Sequence, residues 1–432
     1  MQKWTKIRNL VAQPKWNYYL LMLLVFAMPF YMRFLPYLIA ASLLSWMLQK
    51  DIIQRVKKSF SSKYFTAFIL FYGLHLIGLI YTKNINTGLF KLQVKLSLII
   101  FPLIIFSSGD YLVKRRDNIL QSFVYGNLVA SIMCLVLAFY HSFHNGGDEL
   151  FNTAVWPSAK DWSFVRQVLA GYSYFSYTWL STFIHVSYFS TYILLGLFYI
   201  YSKLINHWAE LVSLRRVLYI FIAVFFLLMI LLLQSRAAII ALSGLILYEV
   251  LYQVLRPGRT GLKIVIAVIF IVLISGVIYN SGRFATLKNG AQEMSFNQLK
   301  KDNLRLLMWE KSMDIIKDNF LFGVGTGDVK DAILNAYDQK TKEATKGEFY
   351  NSHNEFLETT VRLGIIGGGV LLTILLMPFF NKSNYRDNRL LIAFLIIIIL
   401  NFLFESMLDR LNGVSFFSFF YCLLILPRER PS

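Results

Sequence analysis

Apolar windows of about 15–22 residues recur along almost the whole chain, each close to the roughly 20 residues a helix needs to cross a bilayer. Twelve such windows stand near 17–31, 34–48, 64–82, 90–108, 119–141, 183–202, 217–235, 237–255, 264–280, 363–380, 390–408 and 412–426. In hydrocarbon every backbone polar group must be bonded within the structure, so runs of this length fold as helices. The expected fold class is an all-α polytopic membrane protein of about 12 transmembrane helices with one large helical loop on the outer side. Composition agrees. Only 16% of the 432 residues are charged, against about 25% in soluble domains.

The net charge of +19 raises the question of nucleic-acid binding, and its placement answers it. Residues 281–362 hold 12 acidic and 12 basic groups, so that region is neutral and the surplus lies elsewhere. The surplus sits in short segments between spans, such as "QKDIIQRVKKSFSSK", "VKRRDN", "SLRRV", "RPGRTGLK" and "NKSNYRDNR". That is the positive-inside pattern, not a nucleic-acid face. Both termini then fall in the cytoplasm, and the first apolar run, after a basic tail, reads as a signal anchor. Cys134 and Cys422 lie inside apolar runs and read as buried packing residues.

The chain therefore divides into 1–280, nine helices with an aromatic outer loop at 142–182; 281–362, a large outer loop; and 363–432, the last three helices. Long connections of this kind are uncommon unless functional, so the chemistry is expected in 281–362. Within it, "NLRLLMWEKSMDIIKDNF" reads as a helix with an apolar stripe of Leu306, Trp309, Met313, Ile316 and Phe320. "GVGTGD", Gly323 to Asp328, follows that helix rather than a strand, so it reads as a helix stop and tight turn, not a nucleotide loop. "VKDAILNAYDQ" reads as a second helix.

No D-x-D pair is present, which disfavours a hard cation held by carboxylates. Arg236, in "LLLQSRAAIIAL", is a cation at a membrane edge and a functional candidate, against the alternative of a snorkelling side chain. Lys91 and Lys95 share a helix face and could draw an anionic headgroup inward, though plain snorkelling serves as well. Asp409 and Arg410 read as a local ion pair. His75 and His185 stand near span ends, and His141, His144 and His207 in loops. His353 differs: "SHNE" fits a capping box, with Ser352 as N-cap and His353 as the first helical residue. The positive helix end would disfavour an imidazolium there, leaving a neutral ring able to accept a proton.

In "NLRLLMWEKSMDIIKDNFLFGVGTGD", "NSHNEFLETTVRLGIIGGGVLL", "FIHVSYFSTYILL" and "QSRAAIIAL" the chain resembles the O-antigen ligase family, which shares its fold with O-antigen polymerases and protein O-oligosaccharyltransferases. The resemblance implies an enzyme of the inner membrane, active on the periplasmic side, that uses no metal and no cofactor. Its implied partners are a glycan donor on undecaprenyl pyrophosphate, a lipid A–core or other glycan acceptor, and membrane lipids. It implies catalytic roles for His353, Arg305 and Arg236, with the two arginines on the pyrophosphate; the residues themselves add Lys91, Lys95, Asn354, Glu355 and His185 as candidate substrate contacts. A lipid-linked glycan flippase is the alternative of another class; transporters carry midplane charges and broken helices, whereas the polar cluster here lies in one outer loop, which favours an enzyme.

Overall fold

The computed structural model describes residues 13–30, 33–144, 151–254, 304–337, 351–380 and 388–427. Among these residues regular structure is helical, apart from an isolated antiparallel bridge between Ala154 and Ser173. In chain order the helices begin with α1 Pro14–Ala27, α2 Leu35–Met47, α3 Ile52–Phe60, α4 Lys63–Ile80, α5 Ile85–Lys95, α6 Ser97–Ser107 and α7 Gly109–Val113. Next come α8 Arg116–His144, α9 Phe164–Ala170, α10 Tyr177–Leu180, α11 Val186–Asn206, α12 Ser213–Leu233 and α13 Arg236–Val254. The remainder are α14 Leu304–Asp318, α15 Val329–Ala336, α16 Glu355–Leu376, α17 Arg389–Phe402 and α18 Leu411–Ile425.

Six described segments are long and apolar enough to cross a membrane: α4, the pair α5–α6, α8, α11, α12, and Glu355–Phe380 beginning with α16. Helices α2, α17 and α18 are apolar but shorter. Against the twelve spans expected, the window 264–280 lies outside the described residues, and others shrink. The 17–31 window is the 14-residue α1, and the 390–408 window is α17, which stops at Phe402. Apolar composition runs on through turns in such a chain, so hydropathy windows overrun helix ends. His141 and His144, expected in a loop, instead close the long α8.

The chain forms two compact units. The first comprises Met1–Met28, Met32–Ile119 and Lys300–Ser432. At its centre is α18, buried from Asn412 through Ile425, as a helix that is apolar on every face must be. Phe419 meets Phe101 of α6 edge to face at 5.2 Å, and the Ser415 and Ser97 hydroxyls bond at 3.0 Å, so small residues bring the helices close. The second unit is Pro29–Tyr31 and Leu120–Leu299. Its core is α11, buried from Val186 to Ile200, packed on α12 and α13.

One break in the first unit shapes the site. Within α16, Gly364 has φ 66° and ψ −169°, so the bond from the Ile365 amide to the Val361 carbonyl cannot form. The loop after α14 fills the gap. The Val324 amide donates to Val361 O at 2.9 Å, the Gly325 amide to Arg362 O at 3.0 Å, and the Ile365 amide to Phe320 O at 2.8 Å. "GVGTGD" is thus the turn expected after α14, stitched into the open rungs of its neighbour. A side chain at Gly364 would strike the Leu321 backbone as well as take a left-handed φ. Gly364→Ala should therefore lower stability by more than about 1 kcal/mol, read as a lower melting temperature of the detergent-solubilised protein.

The stripe expected on α14 is rotated. Met308, Ser312, Ile315 and Ile316 are buried, while Leu306, Met313 and Phe320 are exposed. The buried face is set by docking on α15 and α16 in a small core of Met308, Ile315, Ile316, Val329, Ile333, Tyr337 and Val361. Apolar residues on both sides of the helix left its periodicity ambiguous.

Candidate functional site

The start of α16 differs from the expected capping box. Asn354, not Ser352, is the N-cap: its side chain accepts from the Leu357 amide at 3.1 Å, and its amide group donates to Leu403 O at 3.3 Å. Asparagine is as good a cap as serine, and Ser352 has a stronger competitor for its groups. Its backbone N–H and its hydroxyl both donate to Glu358 Oε2, at 3.0 and 3.1 Å. His353 is therefore not the first helical residue but precedes the cap. Its φ is +43°, and its amide donates to Asn351 Oδ1 at 3.1 Å. A left-handed φ is uncommon outside glycine, and strain of this kind collects at functional sites.

That backbone turn aims the His353 ring at a residue the sequence reading did not single out. Nδ1 lies 3.5 Å from Glu405 Oε2, and Arg305 Nη2 lies 3.6 Å from Glu405 Oε1. One carboxylate thus faces both the histidine and the arginine that opens α14. At 3.5 Å the first contact is electrostatic rather than a formed hydrogen bond. A carboxylate at Nδ1 favours the tautomer protonated there and leaves Nε2 as the proton acceptor. Glu405 could have been found from one signal, a lone acid inside the apolar "NFLFESML". Merging it into a span hid it.

Behind this group runs a buried ionic chain. Arg362, at 2% side-chain exposure, donates through Nη2 to Glu358 Oε1 at 2.7 Å and Asp409 Oδ1 at 2.6 Å, and through Nη1 to Thr326 O at 3.3 Å. Lys91 reaches Asp409 Oδ2 at 2.5 Å. The expected Asp409–Arg410 pair is replaced by these two cations. Burial opposes ionisation of Asp409, but Arg362, Lys91 and Lys95 outweigh it and hold the carboxyl below its ordinary range. A depressed carboxylate stabilises the fold above its unfolded pKa and loses that contribution only as pH falls through the folded value, so the chain persists through mild acid.

The other sequence candidates fall out as follows. Lys95 is buried, with its ammonium on Leu408 O at 2.6 Å. Glu355 is buried and accepts from the Leu408 amide at 2.7 Å and the Thr359 hydroxyl at 2.8 Å. Lys95, Glu355 and Asn354 thus hold the segment between α17 and α18 in place. Arg236 and His185 belong to the second unit: Arg236 opens α13, just after Gln234 turns through a left-handed φ of 50°, and His185 Nδ1 accepts from the Ser187 amide to cap α11.

A cavity of about 430 Å³ lies in the first unit, lined by His353 and Asn351, by Glu358, Arg362 and Asp409, and by Thr87, Lys91, Thr326, Gly327, Val329, Lys330 and Arg410. A volume of this size suits a saccharide-sized ligand. Glu405 and Arg305 do not line it, so His353 is the member of that group that borders the cavity.

Comparison with known proteins gives two findings. A protein of Haemophilus influenzae named "Uncharacterized protein" is 26% identical over 182 residues, covering 38% of this chain and 46% of the relative. The chain thus spans under half the length of that curated relative. Residues 221–372 match the family model described as O-antigen ligase, a stretch containing Arg236, Arg305 and His353. The resemblance carried by the motifs is thereby borne out: over residues 221–372 this membrane protein bears the signature of the O-antigen ligase family.

Proposed function

We propose that the chain is a metal-independent, inverting glycosyltransferase of the inner membrane, moving a glycan from undecaprenyl pyrophosphate to lipid A–core on the periplasmic side. The observation that supports it is Glu405 facing both His353 and Arg305, inside and beside the segment that matches the O-antigen ligase family. In this reading His353 Nε2 takes the proton of an acceptor hydroxyl as its oxygen bonds to the anomeric carbon. The bond from that carbon to the pyrophosphate breaks from the opposite face. The departing pyrophosphate gathers negative charge, which the guanidinium fork of Arg305 stabilises by paired hydrogen bonds; Arg236 is the second pyrophosphate arginine that the family resemblance implies. Glu405 holds the imidazole and the Arg305 fork in one frame. Glu405→Gln should keep the fold and lower kcat about 10²-fold with little change in donor KM, measured by transfer in detergent.

The break in α16 is a feature shared with transporters, but here its open backbone groups are bonded by residues 320–325 rather than presented to a pathway. That favours the enzyme over the flippase. Complementation of a strain lacking surface-polysaccharide ligation tests the acceptor: a restored lipopolysaccharide ladder on gels supports the ligase. Longer lipid-linked glycan without ligation would instead identify a polymerase, and glycan on protein an O-oligosaccharyltransferase.

A further inference from the structure

The cavity beside His353 carries more positive charge than its own acids use. Of its basic residues, Lys91 and Arg362 are spent on Asp409 and on Glu358, and Lys330 is engaged as well. Arg410 is different. Its neighbour Asp409 points both carboxylate oxygens at Lys91 and Arg362, and the exposed Arg410 side chain makes no ion pair or hydrogen bond among the described residues. Its backbone is fixed nonetheless, since its amide bonds Met407 O and its carbonyl accepts from the Val414 amide in the first turn of α18. An uncompensated guanidinium on a fixed backbone, at the wall of a polar cavity, is suited to an oxyanion held bidentately. Thr87 and Asn351 add neutral polar groups of the kind that hold sugar hydroxyls.

We infer that this cavity is an acceptor subsite, in which Arg410 seats a phosphate carried by the acceptor saccharide and so brings a neighbouring hydroxyl to His353. The inference rests on the transfer reading above, which places the donor pyrophosphate with Arg305. The two anions then lie against different residues: the pyrophosphate with Arg305, the phosphate in a cavity that Arg305 does not line. The base stands between them, as a hydroxyl attacking from the side opposite the leaving group requires.

Two measurements test it. In the first, Arg410 of the purified wild-type protein is labelled with phenylglyoxal and read by peptide mass spectrometry, in potassium phosphate or in potassium chloride of equal ionic strength. Phosphate should suppress labelling at Arg410 several-fold and leave the exposed Arg215 of α12 unchanged; equal labelling at Arg410 in both salts overturns the site. In the second, transfer kinetics of Arg410→Gln are taken with a phosphorylated acceptor and with the same acceptor treated with phosphatase. KM for the phosphorylated acceptor should rise about tenfold, the loss of one charge-assisted fork, with KM for the dephosphorylated acceptor and for the donor unchanged. A rise in donor KM alone assigns the anion to the donor and overturns the acceptor assignment, as does no change in any KM. Protection by phosphate in a wild-type protein that transfers to no acceptor supports the anion site and overturns the transfer reading instead.

Discussion

Replacing His353 by alanine or asparagine should abolish glycan transfer while the protein still folds and inserts. General-base catalysis contributes about 10²- to 10⁴-fold, so either variant should lose at least 10²-fold in kcat. The fold should survive because the ring is 27% exposed and its Nδ1 accepts or donates no hydrogen bond. Asparagine is the more informative variant. It tolerates the left-handed φ that His353 adopts, and it keeps a polar side chain but cannot accept a proton as a base. Size-exclusion profiles matching wild type with lost transfer would support the assignment. Transfer within tenfold of wild type by the asparagine variant would remove His353 from the chemistry.

Arg362→Met should act on the fold rather than on the chemistry. Breaking a buried ionic network by removing one member costs about 3–5 kcal/mol, because the partners stay buried without compensation. Here Glu358 and Asp409 would both lose the guanidinium, and Thr326 O would lose a donor. The effect would reach the site, since Glu358 also holds the amide and hydroxyl of Ser352, the residue before His353. The variant should show a sharply lower melting temperature and a poor yield of monodisperse protein. Arg362→Lys should recover only part of the loss, because one ammonium cannot reproduce the fork between two carboxylates. A methionine variant melting like wild type would show that the network contributes no net stability.

Much of the helical framework could be read from the chain, because apolar runs and caps act locally. The helix at 304–318 and the glycine turn after it followed from spacing alone. His353 stood out as a candidate through its local motif, and Arg305 through the family resemblance. What escaped depends on distance through the sequence. Lys91 meets Asp409 across 318 positions, and no local pattern announces that pairing. Lys95 reads as a headgroup contact until its carbonyl partner, 313 positions away, is seen. The cap on α16 failed for another reason: "SHNE" offers two good caps in three residues, and Glu358, one turn further on, decides between them by taking both groups of Ser352. The stripe on α14 failed because its outer face is apolar too.

The central claim is that this protein itself transfers glycan from a lipid diphosphate. The direct measurement incubates purified wild-type protein with an undecaprenyl-pyrophosphate glycan and lipid A–core in the presence of a chelator, and follows the ligated product on a gel. The account predicts ligated product from the wild type, and none from the His353→Asn variant. Donor translocation across a reconstituted bilayer, with no transfer to lipid A–core, lipid-linked glycan or protein, would contradict it.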